Sequence, residues 1–150
     1  KANLLEKIFT QSPELQTFVF NAGRGEGMWE SESLGGITSA IAGYARNLRY
    51  LKMQAQESAP LSTSGINFIL STLGGHLSRL EYLSLTYSMP ETAIYSENLQ
   101  KFLEQNPQLQ YLELDSSVNV EGLQKLQIPE GVQVYPLNAF SLPPYNWELD

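Results

Sequence analysis

Four times along the chain, a run with apolar residues three and four positions apart gives way to a short run with every second residue apolar. The first rhythm holds Leu4, Leu5, Ile8 and Phe9, then Ile37, Ile41, Tyr44 and Ala45, then Ile66, Ile69, Leu70 and Leu73, then Leu99, Phe102 and Leu103. Such spacing lines apolar side chains along one stripe of a helix. The second rhythm reads Leu15-Gln-Thr-Phe18-Val-Phe20, Leu48-Arg-Tyr-Leu51-Lys-Met53, Leu80-Glu-Tyr-Leu83-Ser-Leu85 and Leu109-Gln-Tyr-Leu112-Glu-Leu114. Alternation of this kind predicts a strand with one buried face. Pro13, Gly74-Gly75 and Pro107 fall between helix and strand, where helices stop.

The first leucines of the four phrases lie 33, 32 and 29 residues apart. A period of that length predicts stacked units, none able to bury its apolar face alone. Gln11-Ser-Pro13-Glu-Leu15-Gln16 also matches Gln105-Asn-Pro107-Gln-Leu109-Gln110 at an offset of 94. A shorter fifth unit, with Leu123 and Leu126 and then Val132-Gln-Val134, is expected to close the stack. One domain over residues 1–150 is therefore expected, with repeats over about 4–134 and a C-terminal cap or tail over about 135–150. In that tail Phe140, Leu142, Tyr145 and Trp147 suit a cap, and Pro143-Pro144 opposes helix; docking to a partner is the competing reading.

The recurring phrases resemble the leucine-rich repeat family, in its longer helix-containing subtypes such as the repeats of F-box proteins. The resemblance implies a right-handed α/β solenoid, with parallel strands on the concave face and helices on the convex face. It implies a protein–protein interaction module, here the substrate-recognition repeats of an F-box-type ubiquitin-ligase receptor. A structural scaffold subunit of a larger assembly is the alternative. The position that often carries Asn or Cys in the family holds Gly23, Gln56, Ser88 and Ser117, so only the two serines are expected to imitate its side-chain ladder.

Stacked parallel strands would turn Phe18, Leu51, Leu83 and Leu112 inward, with Phe20, Met53, Leu85 and Leu114 beside them. The outward columns would read Thr17, Tyr50, Tyr82, Tyr111, then Val19, Lys52, Ser84, Glu113, then Asn21, Gln54, Thr86, Asp115. Tyr50, Tyr82 and Tyr111 form a stripe of interface-type aromatic residues, and the same stripe also serves cross-strand packing. Lys52 and Glu113 flank it, and charge runs from Arg49 and Lys52 towards Glu113 and Asp115. The linkers over about 21–36, 54–64 and 86–96 fall on one rim and are long enough to carry function. Trp29, between Glu26, Glu30 and Glu32, is a candidate anchor there, or a lid on the N-terminal end of the core.

A formal charge of −7 disfavours a nucleic-acid partner. With no cysteine and no Asn-x-Ser/Thr sequon, an intracellular setting is expected. No apolar run approaches the ~20 residues of a membrane helix, so no membrane partner is expected. Because the chain opens on Lys1 rather than Met, a fragment or a processed piece is expected.

Catalytic chemistry is not expected. His76 is the single histidine, placed in a helix-to-strand turn with no nucleophile or orienting acid marked beside it. Gly23-Arg-Gly25-Glu-Gly27 lacks the Gly-Lys-Ser/Thr ending of a phosphate loop and sets a carboxylate where an anion would sit. No cofactor and no metal site are expected.

Overall fold

The computed structural model describes residues 2–21, 31–55, 61–86 and 92–138. Within them the chain is α/β, with a five-stranded sheet and four helices. The helices are α1 (Ala2–Gln11), α2 (Ser31–Tyr44), α3 (Thr63–Leu73) and α4 (Ser96–Gln105). Each is followed by a strand: β1 (Thr17–Asn21), β2 (Tyr50–Gln54), β3 (Tyr82–Thr86) and, after α4, β5 (Tyr111–Leu114). Two shorter strands, β4 (Ala93–Tyr95) and β6 (Asn119–Glu121), pair with each other, and β7 (Gln133–Tyr135) ends the described chain's strands.

The large sheet runs in the order β1-β2-β3-β5-β7, and every pair in it is parallel. Its register aligns the phrases position for position: Phe18 with Leu51, Leu83, Leu112 and Val134. Successive helices pack against one another, and their apolar stripes join the inward strand residues in one core. Just before β1, β2 and β3, one carbonyl accepts two N–H groups from the next unit. Gln16 O takes those of Arg49 and Tyr50, Arg49 O those of Glu81 and Tyr82, and Glu81 O those of Gln110 and Tyr111, all at 2.8–3.0 Å.

The helix stops act where expected. Gly74 follows α3 and donates its N–H to Leu70 O, while Gly75 takes a φ of +78° that a side chain would resist. At the other end of α3, Ser62 caps the helix by accepting the N–H of Gly65 at 3.1 Å.

The stripes of α3 and α4 are fully buried as predicted. That of α1 is not: Leu5 and Phe9 enter the core, whereas Leu4 is 62% exposed and Ile8 37%. Among the described residues α1 stands at one end of the helix row and, of the helices, packs closely on α2 alone, which leaves half of its stripe uncovered by them. Tyr44 is likewise exposed rather than part of the α2 stripe. The core thins at the same end, where Phe18 and Phe20 are half-buried and their equivalents Leu51 and Met53 are fully buried. The fifth unit contributes a single 3-10 turn (Leu123–Lys125) in place of a helix, with Leu123 exposed and Leu126 against the core.

The third linker, read as a loop, contains β4. Ile94 and Val120 bury the pair it forms with β6, and a three-residue strand is too short to announce itself by periodicity. Gly23, Gln56 and Ser88 lie outside the described residues. Ser117 bonds back to Asp115 Oδ1 through its N–H (3.3 Å) and hydroxyl (3.2 Å), a local turn and no inter-unit ladder.

Another side chain does that bridging. Asn67 on α3, 7% exposed, donates to Thr63 O (2.8 Å) and Ala93 O (2.9 Å), and its Oδ1 accepts from Tyr95 N (3.2 Å) and Asn98 Nδ2 (3.0 Å). Thr92 Oγ1 donates to Leu61 O at 3.0 Å beside it, and Ala93 N to Thr63 Oγ1 at 3.0 Å. At the opposite rim, Asn47 reaches Pro13 O at 2.6 Å and Gln108 reaches Leu77 O at 3.0 Å.

Candidate functional site

The face of the sheet turned away from the helices carries the predicted outward columns in register. Thr17, Tyr50, Tyr82 and Tyr111 align across four strands, and Gln133 of β7 continues the row. Tyr50 and Tyr82 meet edge to face, with ring centroids 5.2 Å apart and planes at 62°. Tyr82 and Tyr111 stack at 6.1 Å and 21°. Both arrangements are ones that aromatic quadrupoles favour.

The three rings differ in what they present. Tyr50 and Tyr82 are half-buried, whereas Tyr111 is only 4% exposed, roofed by its neighbours. Tyr111 therefore supports the stripe more than it offers contact surface, which the sequence did not distinguish. Burial, and after it the charge of Glu113 and the phenol of Tyr135, raises the Tyr111 hydroxyl above its ordinary pKa.

The second column is Val19, Lys52, Ser84 and Glu113, extended by Tyr135. Val19 is 41% exposed; Lys52 and Glu113 are half-buried; Ser84 is fully buried. The Ser84 hydroxyl donates to Glu113 Oε1 at 2.8 Å and so fixes the carboxylate on the sheet. A groove of about 340 Å³ runs along this end of the face, lined among others by Lys52, Thr86, Glu113, Asp115 and Tyr135. Tyr135 is not marked by the sequence pattern, in which the alternation of the fifth strand ends at Val134, yet it pairs with Glu113.

The expected charge run from Arg49 and Lys52 to Glu113 and Asp115 is offset at its Arg49 end. Arg49 forks onto Glu81, Nε to Oε2 at 2.9 Å and Nη2 to Oε1 at 3.1 Å, and its guanidinium lies 5.1 Å from the Tyr50 ring centroid. The positive end is thereby largely neutralised, leaving Lys52 opposite Glu113 and Asp115. The pairing was available from the aligned phrases, since Arg49 and Glu81 occupy the same position in neighbouring units. A second groove of about 490 Å³, bordered by Gln16, Arg49, Arg79, Glu81 and Gln110, lies under the strand entrances.

Of the predicted contacts, the sheet thus brings Tyr50, Tyr82, Tyr111, Lys52 and Glu113 onto one face. Trp29 lies outside the described residues, as do Glu26, Glu30 and the tail from residue 139. His76 sits exposed in the turn after α3, its N–H on Leu73 O at 3.1 Å. Among the described residues no three acidic or histidine side chains gather as a metal site, and no helix is long and apolar enough to cross a membrane. Comparison with models of known protein families gives no match, and comparison with the sequences of characterised proteins gives none either.

Proposed function

We propose that this chain is a leucine-rich-repeat solenoid serving as a protein-recognition module, with the face that carries the tyrosine stripe as its concave binding surface. The observation that carries this reading is the unbroken register of Tyr50, Tyr82 and Tyr111 across three parallel strands, ring against ring, on the side away from the helices. Tyrosine brings large contact area at little conformational cost and is enriched among the residues that dominate interfaces. The recurring Leu-x-Tyr-Leu phrases support a role like that of the substrate-binding repeats of F-box-type ubiquitin-ligase receptors.

Affinity capture from cell extract, with recovered proteins identified by mass spectrometry, tests the reading. The wild-type protein should retain a defined partner together with ubiquitin-ligase subunits. A Tyr50→Ala/Tyr82→Ala variant with an unchanged circular dichroism spectrum should lose the partner, since hot-spot truncations cost about 2 kcal/mol or more, roughly 30-fold in affinity. Retention of the partner by that folded variant would remove the face from consideration. Retention of a partner without ligase subunits would remove the receptor role and leave the module.

A further inference from the structure

Resting on the recognition face just proposed, we infer that its β5 end takes a basic side chain, arginine by preference, from an extended segment of the partner. Glu113 is the receiving group. Its Oε1 is occupied by the buried Ser84 hydroxyl, while Oε2 has no hydrogen-bond partner among the described residues. Ser84, with no exposed surface, holds the carboxylate in one orientation before any ligand arrives, so one oxygen is anchored and the other is presented.

The surroundings match a guanidinium better than other groups. The groove beside Glu113 also holds Asp115 and the Tyr135 side chain, and its volume of about 340 Å³ suits one long side chain rather than a helix. Among the described residues that line the groove, Lys52 is the one cation beside two carboxylates, which gives that lining a net negative charge. The other nearby cation, Arg49, is held by Glu81 two strands away. A carboxylate with a free oxygen gives a guanidinium a charge-assisted hydrogen bond, and tyrosine faces hold its flat surface by cation–π attraction. An acidic side chain would meet like charge at both Glu113 and Asp115.

The experiment uses a phage library of random peptides selected on the immobilised full chain, followed by titration calorimetry of the most enriched peptide. Glu113→Gln is the informative variant: it keeps an oxygen for Ser84 and removes the charge. Enriched peptides should share an arginine or lysine at one position. Glu113→Gln should weaken the best peptide at least tenfold, replacement of the peptide's basic residue by methionine should weaken it equally, and the two changes together should do no more than either. Enriched peptides without a shared basic residue, or binding indifferent to Glu113→Gln yet lost in Tyr82→Ala, would overturn the inference and leave the recognition face standing. Binding unmoved by Glu113→Gln, Tyr50→Ala and Tyr82→Ala alike, or a library that enriches nothing, would count against both.

Discussion

Shortening Leu83 to alanine should cost this fold about 4 kcal/mol. Leu83 lies on β3, the central strand of the sheet, 1% exposed, with Leu51 and Leu112 beside it in the same inward row, both fully buried. Leucine exceeds alanine by three carbons, and at about 0.8 kcal/mol each their return to water forfeits about 2.4 kcal/mol. A residual cavity of about 60 Å³ adds about 1.4 kcal/mol at roughly 24 cal/mol per Å³. Collapse around the gap is limited, because strands on both sides are pinned by backbone hydrogen bonds in register. Urea unfolding followed by far-ultraviolet circular dichroism reads the change directly. With a slope of about 2 kcal/mol per molar, the midpoint should fall by about 2 M with the slope unchanged. Val19→Ala, on the opposite face and 41% exposed, should move stability by no more than about 0.5 kcal/mol. A loss below about 1.5 kcal/mol for Leu83→Ala, or one matched by Val19→Ala, would refute the assignment of faces to the alternating phrase.

Asn67→Ala should destabilise by about 2–3 kcal/mol, because it strands the buried Ala93 carbonyl and Tyr95 amide, and hydrogen exchange should rise first over residues 93–95 and 119–121. Alkaline pH should loosen the fold through Tyr111. Its hydroxyl keeps its proton in the native state at pH values where the unfolded chain, titrating near 10, has lost it. The unfolded state then binds fewer protons, so the stability Tyr111 contributes is whole below pH 10 and falls as pH rises through the raised native value. Urea midpoints across that range should show the decline, and Glu113→Gln, which removes one cause of the shift, should make it shallower; a flat profile in the wild type would refute the coupling.

What could be read in the sequence was whatever repeats with a fixed period. Alternation places Leu51, Leu83 and Leu112 on one face, and the identical Leu-x-Tyr-Leu wording sets Tyr50, Tyr82 and Tyr111 in register. The misses share a physical cause: periodicity says which way a residue points, not how many neighbours it will meet. Leu4 and Ile8 sit on a good apolar stripe, yet are exposed because, among the described residues, α2 is the one helix packed closely on α1. Tyr111 points away from the helices as predicted, yet its neighbours cover it. Asn67 looks like a flaw in a helix that is otherwise apolar on that side, and only the β4 backbone, 26 to 28 residues away in sequence, gives it a purpose.

Asn67 also bears on how the tyrosine face works. The position where the phrase leads one to look for a side-chain ladder is weakly equipped, and Ser117 there bonds only within its own turn. Units are instead tied at both rims by amides of a different origin: Asn67 at the strand exits, Asn47 and Gln108 at the strand entrances. Between these rims lie Tyr50, Tyr82 and Tyr111, whose ring spacing is set by the strand spacing and whose backbone amides are held two to a carbonyl. On the recognition role proposed above, a face clamped in this way would give up little conformational freedom to a partner, so more of each contact's free energy would survive as affinity. Loosening one rim should then weaken binding at a distance. Asn67→Ala touches no residue of the face, so any loss of affinity in the folded variant measures the contribution of the clamp itself, and unchanged affinity would show that the strands hold the stripe without it.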